Sequence, residues 1–344
     1  MTSGTDPAPV SDEELERARG LFDALADQIA RVIVGQHEAI EQLLWALGAG
    51  GHALLEGAPG LGKTMLVRTI ASALQLDVRR VQCTPDLMPA DVLGTTVVAE
   101  TSAGERSLVF EPGPIFTHLL LVDEINRATP RTQSALLEAM QERRVTTGGQ
   151  SRPLPSPFFV LATQNPIEME GTYPLPEAQL DRFLVKIVID PPDRADLVEV
   201  LRRTAAPQPP RLEPVGDGEA LLAAARVLHA MPCAEPVLDY AARLVLATHP
   251  ARAEAPEPVR RYVRYGASPR GAQALIGCAR VRALRRGQAC VGFEDVAAAV
   301  APALRHRVLL GFEGLAEGLR PDTILDSVLE TVSPAPAVDR AASR

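Results

Sequence analysis

Apolar residues in the first segment of the chain recur every three or four positions: Leu15, Ala18, Phe22, Leu25 and Ile29. This spacing predicts an amphipathic helix over residues 12–31. Ser11 and Glu14 precede it in an S-x-x-E pattern, which is the sequence form of a helix capping box.

Beyond this helix, short apolar runs alternate with further helical segments. The runs that predict buried strands are 52–57, 78–82, 119–123, 158–163 and 185–189. The segments between them that predict helices are 37–48, 63–74 and one ending near 142, with Thr129 as N-cap and Pro130 at its first position. Strands that alternate with helices indicate an α/β fold with a doubly wound parallel sheet.

Two insertions interrupt the alternation, and each predicts a β-hairpin, at 95–110 and 143–155. After Pro191-Pro192 the pattern changes, and only helices and loops are predicted. Those helices lie near 193–204, 217–230, 236–248, 269–286, 293–307 and 321–331. We therefore expect one domain over 11–192, an all-helical domain over 193–333, and disordered ends at 1–10 and 334–344.

Composition excludes several classes of protein. The net charge is −8 and aromatic residues make up 4% of the 344 residues, which disfavours nucleic-acid binding. The acidic N-terminus is unlike a secretory signal, and no apolar run reaches the length of a membrane helix. The four cysteines form no CxxC pair and the histidines are scattered, so no structural metal site is expected. A soluble cytoplasmic protein is the expectation.

The charges are unevenly distributed. Residues 1–192 carry a net charge of −10 and residues 193–344 a net charge of +2. Residues 258–293 hold eight arginines and no acidic residue, which fits either a partner-facing surface or a solvated helix face. Lysine occurs only at Lys63 and Lys186, against 33 arginines. A chain so poor in lysine is expected to keep one where a compact ammonium is needed.

Lys63 lies in GAPGLGKT, which fits the phosphate-binding pattern G-x-x-x-x-G-K-[ST] between a predicted strand and helix. Its backbone N–H groups are expected to wrap phosphates, with Lys63 reaching the β- and γ-phosphates of ATP. Thr64 is expected to bind Mg²⁺. The predicted nucleotide-binding residues here are Gly57, Ala58, Pro59, Gly60, Leu61, Gly62, Lys63, Thr64 and Met65.

A second motif, LLLVDE at 119–124, is an apolar strand that ends in two carboxylates. The carboxyl end of a parallel strand faces the ligand crevice. Asp123 is therefore expected to hold Mg²⁺, and Glu124 to polarise the attacking water. The chain has no N-K-x-D motif of a GTPase and no L-S-G-G-Q motif of a transporter ATPase.

With these two motifs in place, four blocks in order resemble the MoxR family of AAA+ ATPases. They are GAPGLGKT, LLLVDEINRATPRTQSALLEAMQE, FFVLATQNPIEMEGTYPLPEAQLDRF and RYGASPRG. The resemblance covers roughly residues 13–333. It implies an αβα nucleotide domain with two hairpin insertions, followed by a helical lid.

The resemblance also implies roles for single residues. Asn165 matches sensor 1, which positions the attacking water, and Arg182 matches the arginine finger, which reaches a neighbouring subunit's ATP. Arg270 matches sensor 2 on the lid. Val34 and Gly35 lie in a segment similar to the one that lines the adenine pocket.

The function implied is ATP hydrolysis in a homo-oligomer, with six subunits in a ring, that remodels or matures partner proteins. Cofactor insertion with partners that carry a von Willebrand factor A domain is part of this implication. A magnesium-chelatase-like subunit, a nucleic-acid motor and a nucleotide-gated scaffold stay open as alternatives. Arg143, Arg144 and Arg152 near the second hairpin fit either a polymer in a central pore or plain solvent exposure.

Overall fold

A five-stranded parallel sheet organises the N-terminal half of the chain. The computed structural model describes residues 10–57, 60–100, 106–165, 171–205 and 210–334. In chain order, the strands up to residue 188 are β1 Ala53–Glu56, β2 Val78–Gln82, β3 Gly94–Glu100, β4 Arg106–Pro112, β5 Leu119–Asp123, β6 Arg144–Thr147, β7 Gln150–Pro153, β8 Phe159–Gln164 and β9 Val185–Val188. The central sheet has the order β2-β5-β8-β1-β9 with every pair parallel, so the predicted sheet is confirmed.

Helices cover both faces of this sheet. Those before residue 192 are α1 Asp12–Val32, α2 His37–Gly48, α3 Lys63–Ala73, α4 Pro89–Leu93, α5 Pro130–Glu142 and α6 Glu177–Leu180, with a 3₁₀ turn at Ile125–Arg127. The capping box of α1 is present, and Thr129 caps α5 by accepting from the Thr132 N–H. Both predicted helix starts are confirmed.

The apolar strand β5 is buried on both faces because helices pack on each side. Leu119 and Leu121 join the core on the side of α1, α2 and α3. Leu120 and Val122 join a second core on the side of α5. A strand covered on both sides has no polar face, which accounts for the unbroken apolar run in the sequence.

The two insertions are antiparallel hairpins, β3 with β4 and β6 with β7. The first is longer than predicted, since its strands reach Gly94 and Pro112. Its predicted turn, residues 101–104, lies outside the described residues. Arg152 of the second hairpin stacks on the Phe110 ring of the first at 4.0 Å, so the two hairpins contact each other.

The helices after residue 192 are α7 Arg194–Ala205, α8 Gly218–Ala230, α9 Glu235–Ala247, α10 Glu257–Tyr262, α11 Pro269–Arg285, α12 Phe293–Leu304, α13 Phe312–Ala316 and α14 Pro321–Thr331. Of these, α8 and α11 pack on α1 and α2, and their buried side chains join the core on that side. The expectation that this half is helix and loop alone is wrong. Val263–Tyr265 (β10) and Leu309–Leu310 (β11) form a small antiparallel pair, too short to give an alternating pattern. The boundary near residue 192 and the disordered ends stay predictions.

Across the described ranges, no single helix is both long and apolar enough to cross a membrane. The helices α8 and α9 together have the length and composition, but the chain bends by 95° between them.

Candidate nucleotide site

The carboxyl ends of β5 and β8 and the start of α3 surround a cavity of about 430 Å³. Its lining includes most of the residues in the two predicted motifs: Gly60, Leu61, Gly62, Lys63, Thr64, Met65, Asp123, Glu124 and Asn165. The structure therefore brings together five predicted site side chains from three separate parts of the sequence, namely Lys63, Thr64, Asp123, Glu124 and Asn165.

The loop that enters α3 leaves its backbone open toward this cavity. Gly62 is the N-cap of α3 with φ of 75°, and it offers no side-chain cap for the first N–H groups. Those N–H groups and the positive end of the helix dipole are suited to an anion. Gly57 directly follows β1, and a Cβ there would lie 2.9 Å from the Ile189 carbonyl oxygen, so only glycine fits. Ala58 and Pro59, two predicted binding residues, lie outside the described ranges.

Lys63 folds back over this loop, and its ammonium donates to the Gly57 carbonyl at 2.7 Å. Partial burial lowers the pKa of Lys63, while the nearby carboxylates of Asp123, Glu124 and Glu56 act in the opposite direction. A half-buried ammonium beside free N–H groups matches the charge of a polyphosphate. This lysine is the one that composition singled out. The other lysine, Lys186, pairs with Glu56 at 2.7 Å.

The two carboxylates at the end of β5 are held in different ways. Asp123 is nearly buried, and its Oδ1 accepts from the Thr163 hydroxyl at 3.2 Å. Glu124 has φ of 55°, in the left-handed region, and its N–H donates to the same Thr163 hydroxyl at 2.9 Å. The left-handed turn at Glu124 lets two consecutive carboxylates both reach the cavity. The Thr163 hydroxyl on β8 thus holds both Asp123 and Glu124 in place through hydrogen bonds.

Asn165 follows directly after β8 and is buried, with 6% of its surface exposed. Its place in the cavity lining, one strand along from the carboxylates, is what the sensor 1 prediction requires. Ammonium, N–H, hydroxyl, carboxylate and amide groups converge here. This set of groups fits Mg²⁺ together with a nucleotide polyphosphate.

The segment predicted to contact adenine lies beside this cavity and does not line it. Gly35 has φ of 64°, and a Cβ there would lie 2.2 Å from the Asp196 carboxylate on α7. Gln36 donates to the Asp190 carbonyl at 2.8 Å. Gly35 is thus packed against the start of the C-terminal half, and neither Val34 nor Gly35 lines the 430 Å³ cavity.

Arg182 and Arg270 lie elsewhere, in a second cavity of about 750 Å³. Arg182 donates to the Leu137 carbonyl at 2.7 Å, and Arg270 lies 3.7 Å from the Asp181 carboxylate. Neither residue lines the cavity that contains Lys63. A single chain therefore does not bring these two predicted site residues to its own phosphate loop. We call this second cavity the arginine groove, because Arg143, Arg280 and Arg307 also line it.

One partly buried carboxylate, that of Asp181, organises the arginine groove. Asp181 accepts from Ser268, the N-cap of α11, at 2.8 Å and from Arg307 at 2.8 Å. Arg307 is almost fully buried and also donates to the Phe183 carbonyl at 2.7 Å. Asp181 directly precedes Arg182, and Ser268 lies two residues before Arg270. The same carboxylate therefore fixes the backbone that carries both groove arginines.

The arginine-rich stretch 258–293 is mostly neutralised by acids from elsewhere in the chain. Arg282 and Arg286 both contact the buried Asp295. Arg285 pairs with Glu41 and Arg261 with Glu313. These four arginines are therefore held in ion pairs within the chain, and the side chains of Arg282 and Arg285 are too buried to form a solvated helix face.

Sequence reasoning missed Arg80, Gln82 and Thr163, which all line the nucleotide cavity. The sequence did contain a signal for Arg80 and Gln82. In the strand VRRVQ, positions 80 and 82 are polar and share one face, which is unusual beside a buried apolar strand. Thr163 gave no such signal, because threonine is common in strands.

Comparisons with known proteins agree with this geometry. Residues 52–185 match the model of the ATPase family associated with various cellular activities (AAA), and residues 257–328 match that of the AAA lid domain. Chaperone MoxR1 of Mycobacterium tuberculosis is 41% identical over 89% of this chain and 80% of its own length. Protein MoxR of Methylorubrum extorquens is 35% identical over 90% and 93%.

A solved structure supports the same assignment. The crystal structure of a candidate ATPase from Cytophaga hutchinsonii is 38% identical and has a TM-score of 0.86, covering 93% of this chain and 97% of that one. With relatives this similar over most of their length, the chain belongs to the MoxR family of AAA+ ATPases.

Proposed function

We propose that this protein hydrolyses ATP to ADP and phosphate at the cavity between α3 and the ends of β5 and β8. Lys63 and the first N–H groups of α3 bind the β- and γ-phosphates. Thr64 and Asp123 would hold Mg²⁺ through water, and the bound ion would supply charge neutralisation at the phosphates. Glu124 orients the attacking water as general base, and Asn165 positions that water from the next strand.

The observation that carries this proposal is the convergence of Lys63, Asp123, Glu124 and Asn165 on one cavity. Leu61, Met65 and the remaining loop residues contribute backbone to the phosphate site. Val34 and Gly35 place the adenine beside the loop. The proposed boundary near residue 192 separates a nucleotide domain from a lid, and the cavity lies within the nucleotide domain.

We further infer that the protein acts as a homo-oligomer, in a ring of six. Arg182 and Arg270 lie together in the arginine groove, away from their own chain's phosphate loop. Cationic groups that stabilise the charge of phosphoryl transfer must reach the phosphates. The phosphates within reach of this groove are therefore those of a second copy of the chain, which makes hydrolysis depend on assembly.

The proposed clients are other proteins, which the ring remodels or matures. Two relatives are named MoxR and one of these is called a chaperone, and partners with a von Willebrand factor A domain follow from the family resemblance. The first hairpin supports a protein client, because Val98 and Leu108 lie opposite each other and are 66% and 75% exposed. An exposed apolar pair of this kind is suited to transient contact with an unfolded or partly folded chain.

A mixing experiment tests the assembly and the chemistry together. Glu124→Gln keeps the arginine groove but loses the base, whereas Arg182→Ala keeps the cavity but loses the finger. We expect each variant alone to be inactive. An equimolar mixture should regain about a quarter of the wild-type rate, since a quarter of random interfaces combine an intact pocket with an intact groove. Arg17→Ala, at an exposed site on α1, is the control and should keep full activity.

A mixture with no regained activity would contradict the shared site. Hydrolysis by Glu124→Gln at the wild-type rate would contradict the chemistry. Strong stimulation by DNA that disappears with added salt would instead favour the nucleic-acid motor.

A further inference from the structure

Two of the four cysteines lie beside each other in the C-terminal half, although they are far apart in the sequence. Cys233 lies between α8 and α9, and Cys290 lies between α11 and α12. The Val291 N–H donates to the Pro232 carbonyl at 3.4 Å. This bond joins the peptide group on the N-terminal side of Cys233 to the one on the C-terminal side of Cys290. Each cysteine is therefore attached directly to one of two hydrogen-bonded peptide groups.

The thiols of this pair also influence each other. Burial raises the pKa of the Cys233 thiol, the charge of Arg280 acts in the opposite direction, and the charge of Cys290 raises the pKa further. Such an influence between two thiols requires a short separation, because charge interactions weaken with distance. Residues paired across hydrogen-bonded segments have Cα atoms about 4.5–5.5 Å apart. This placement fits the Cα separation of about 4.4–6.8 Å that a disulfide spans.

The two sulfurs differ in their access to solvent. Cys290 is exposed, so a small oxidant reaches it first, whereas Cys233 is half-buried and packs against the larger hydrophobic core. The charge of Arg280 favours the thiolate of Cys233, and the thiolate is the form that attacks an oxidised sulfur. An accessible thiol beside a second thiol that can resolve it is the arrangement of a redox-active pair.

The segments that carry the pair are fixed by packing that does not involve the cysteines. Met231 and Val291 are both buried. The Tyr240 ring on α9 contacts the Phe293 ring on α12 edge to face, with centroids 5.6 Å apart. Since these contacts already hold the two segments together, a bond between the sulfurs requires little movement of the backbone.

The other two cysteines lack this access. Cys83 and Cys278 are 2% and 0% exposed, and burial raises the pKa of each thiol to about 12. Both therefore remain protonated near neutral pH, and a buried, protonated thiol reacts poorly with oxidants. They provide an internal reference for the reactivity of the exposed pair.

We propose that Cys233 and Cys290 form a reversible disulfide when a peroxide oxidises the protein. The Cys290 thiolate attacks a peroxide oxygen, the O–O bond breaks, and Cys290 becomes a sulfenic acid while hydroxide leaves. The Cys233 thiolate then attacks the Cys290 sulfur, the S–S bond forms and a second hydroxide leaves. Each hydroxide takes up the proton that one thiol lost, which gives two waters. The peroxide gains two electrons, the two thiols lose them, and a thiol reductant reverses the change.

The closed bond ties the turn between α8 and α9 to the segment before α12. The chain between the two cysteines contains α9, α10 and α11, and therefore also Arg270. A covalent link that closes such a loop restricts the unfolded chain, so it stabilises the C-terminal half under oxidising conditions. The inference goes beyond the proposed function, because it requires neither nucleotide nor hydrolysis.

Thiol counting and peptide mapping test the bond. The full chain is treated with hydrogen peroxide, denatured, and its free thiols are counted with a chromogenic disulfide reagent. The wild type should fall from four free thiols to two and return to four with dithiothreitol. Trypsin should release one linked pair of peptides, 227–243 with 287–305, each of which contains a single cysteine. Cys233→Ser and Cys290→Ser should each prevent this link, whereas the matched control Cys278→Ala should keep it.

Three results would overturn the inference. They are a thiol count that stays at four, a linked pair of peptides that contains Cys83 or Cys278, and a link that forms only between the Cys290 residues of two chains. Non-reducing electrophoresis identifies the last of these as a covalent dimer.

Thermal unfolding tests the consequence for the fold. The oxidised wild type should melt at least about 3 °C higher than the reduced wild type. Cys290→Ser changes only an exposed side chain, so it should fold normally and show the same melting temperature with and without peroxide. Equal melting temperatures for the two wild-type forms would show that the bond does not tie the turns together. Each of these measurements can fail while ATP hydrolysis by the protein stands.

Discussion

A buried histidine makes the stability of this protein sensitive to mild acid. His52 lies just before β1, and its Nδ1 accepts from the Val160 N–H at 3.0 Å. Its Nε2 contacts the Met140 carbonyl at 3.2 Å. The ring thus connects the central sheet to the end of α5 as a neutral imidazole with the proton on Nε2. Burial lowers the pKa of His52 from 6.5 to about 4, and the charge of Arg143 acts in the same direction, against the Met140 hydrogen bond.

The sign and size of the effect follow from linkage. The unfolded chain binds a proton at His52 near pH 6.5, whereas the folded chain binds it only near pH 4. The stabilisation contributed by neutral His52 is therefore fully present above about pH 7, decreases as the pH falls from the unfolded to the folded pKa, and is lost below pH 4. Over this whole pH range the free energy of unfolding falls by about 3 kcal/mol. Between pH 7 and pH 5 it falls by about 2 kcal/mol.

The assay compares urea unfolding of the wild type with that of His52→Asn at pH 7, 6 and 5. Asn keeps an acceptor near the position of Nδ1 but does not titrate. The difference in unfolding free energy between the two proteins should shrink by about 2 kcal/mol from pH 7 to pH 5. His306 is also buried, and its pKa is lowered well below the ordinary value. Both proteins contain His306, so its contribution cancels in the difference between their unfolding free energies. The exposed His37, replaced by Asn, is the control. A difference that stays constant with pH would refute the reasoning.

Four further outcomes are expected. Lys63→Arg should abolish ATP hydrolysis in a phosphate-release assay, because a planar fork does not replace a compact ammonium in the loop; near-normal turnover would show that the lysine is not needed there. Specific activity should rise with protein concentration until assembly is complete, as followed by light scattering on the same samples, and a flat profile speaks against a shared site. Asp181→Ala should lower the free energy of unfolding by about 3 kcal/mol, since it leaves the buried Arg307 unpaired, and a urea midpoint within error of wild type is the contrary result. Leu108→Asp should change that free energy by less than about 0.5 kcal/mol, because the side chain is exposed, yet it should reduce capture of an unfolded model protein; equal capture argues against a client role for the first hairpin.

The parts of the site that follow local rules could be predicted from the sequence. The phosphate loop is contiguous, and its glycines, lysine and threonine have fixed spacing, so the sequence predicted that Lys63 and Thr64 begin a helix, as they do in α3. Asp123 and Glu124 followed from an apolar strand with an acidic end. Asn165 was predicted only through the family resemblance, which matches it to sensor 1.

The features that depend on contacts between residues far apart in the sequence could not be predicted from the sequence. The position of Arg270 beside Asp181 depends on the Ser268 hydrogen bond that brings the start of α11 to Asp181, and Arg270 and Asp181 are 89 positions apart in the sequence. Nothing local shows that this arginine faces away from its own phosphate loop. Likewise β10 and β11 pair across 44 positions and are too short for a periodic signal. Arg80 needed the strand register before its contact with Asp123 could be foreseen.

The hydrogen bonds of Asp181 have a consequence for how subunits communicate. Ser268 and Arg307 belong to the C-terminal half, whereas Asp181 belongs to the end of the nucleotide half. Since one carboxylate holds both sides, Arg182 and Arg270 keep a fixed spacing and cannot approach a neighbour's phosphates one after the other. Both guanidinium groups would engage in a single step. In the proposed ring, each interface would therefore be either fully engaged or fully open, with no state in which one of the two arginines acts alone.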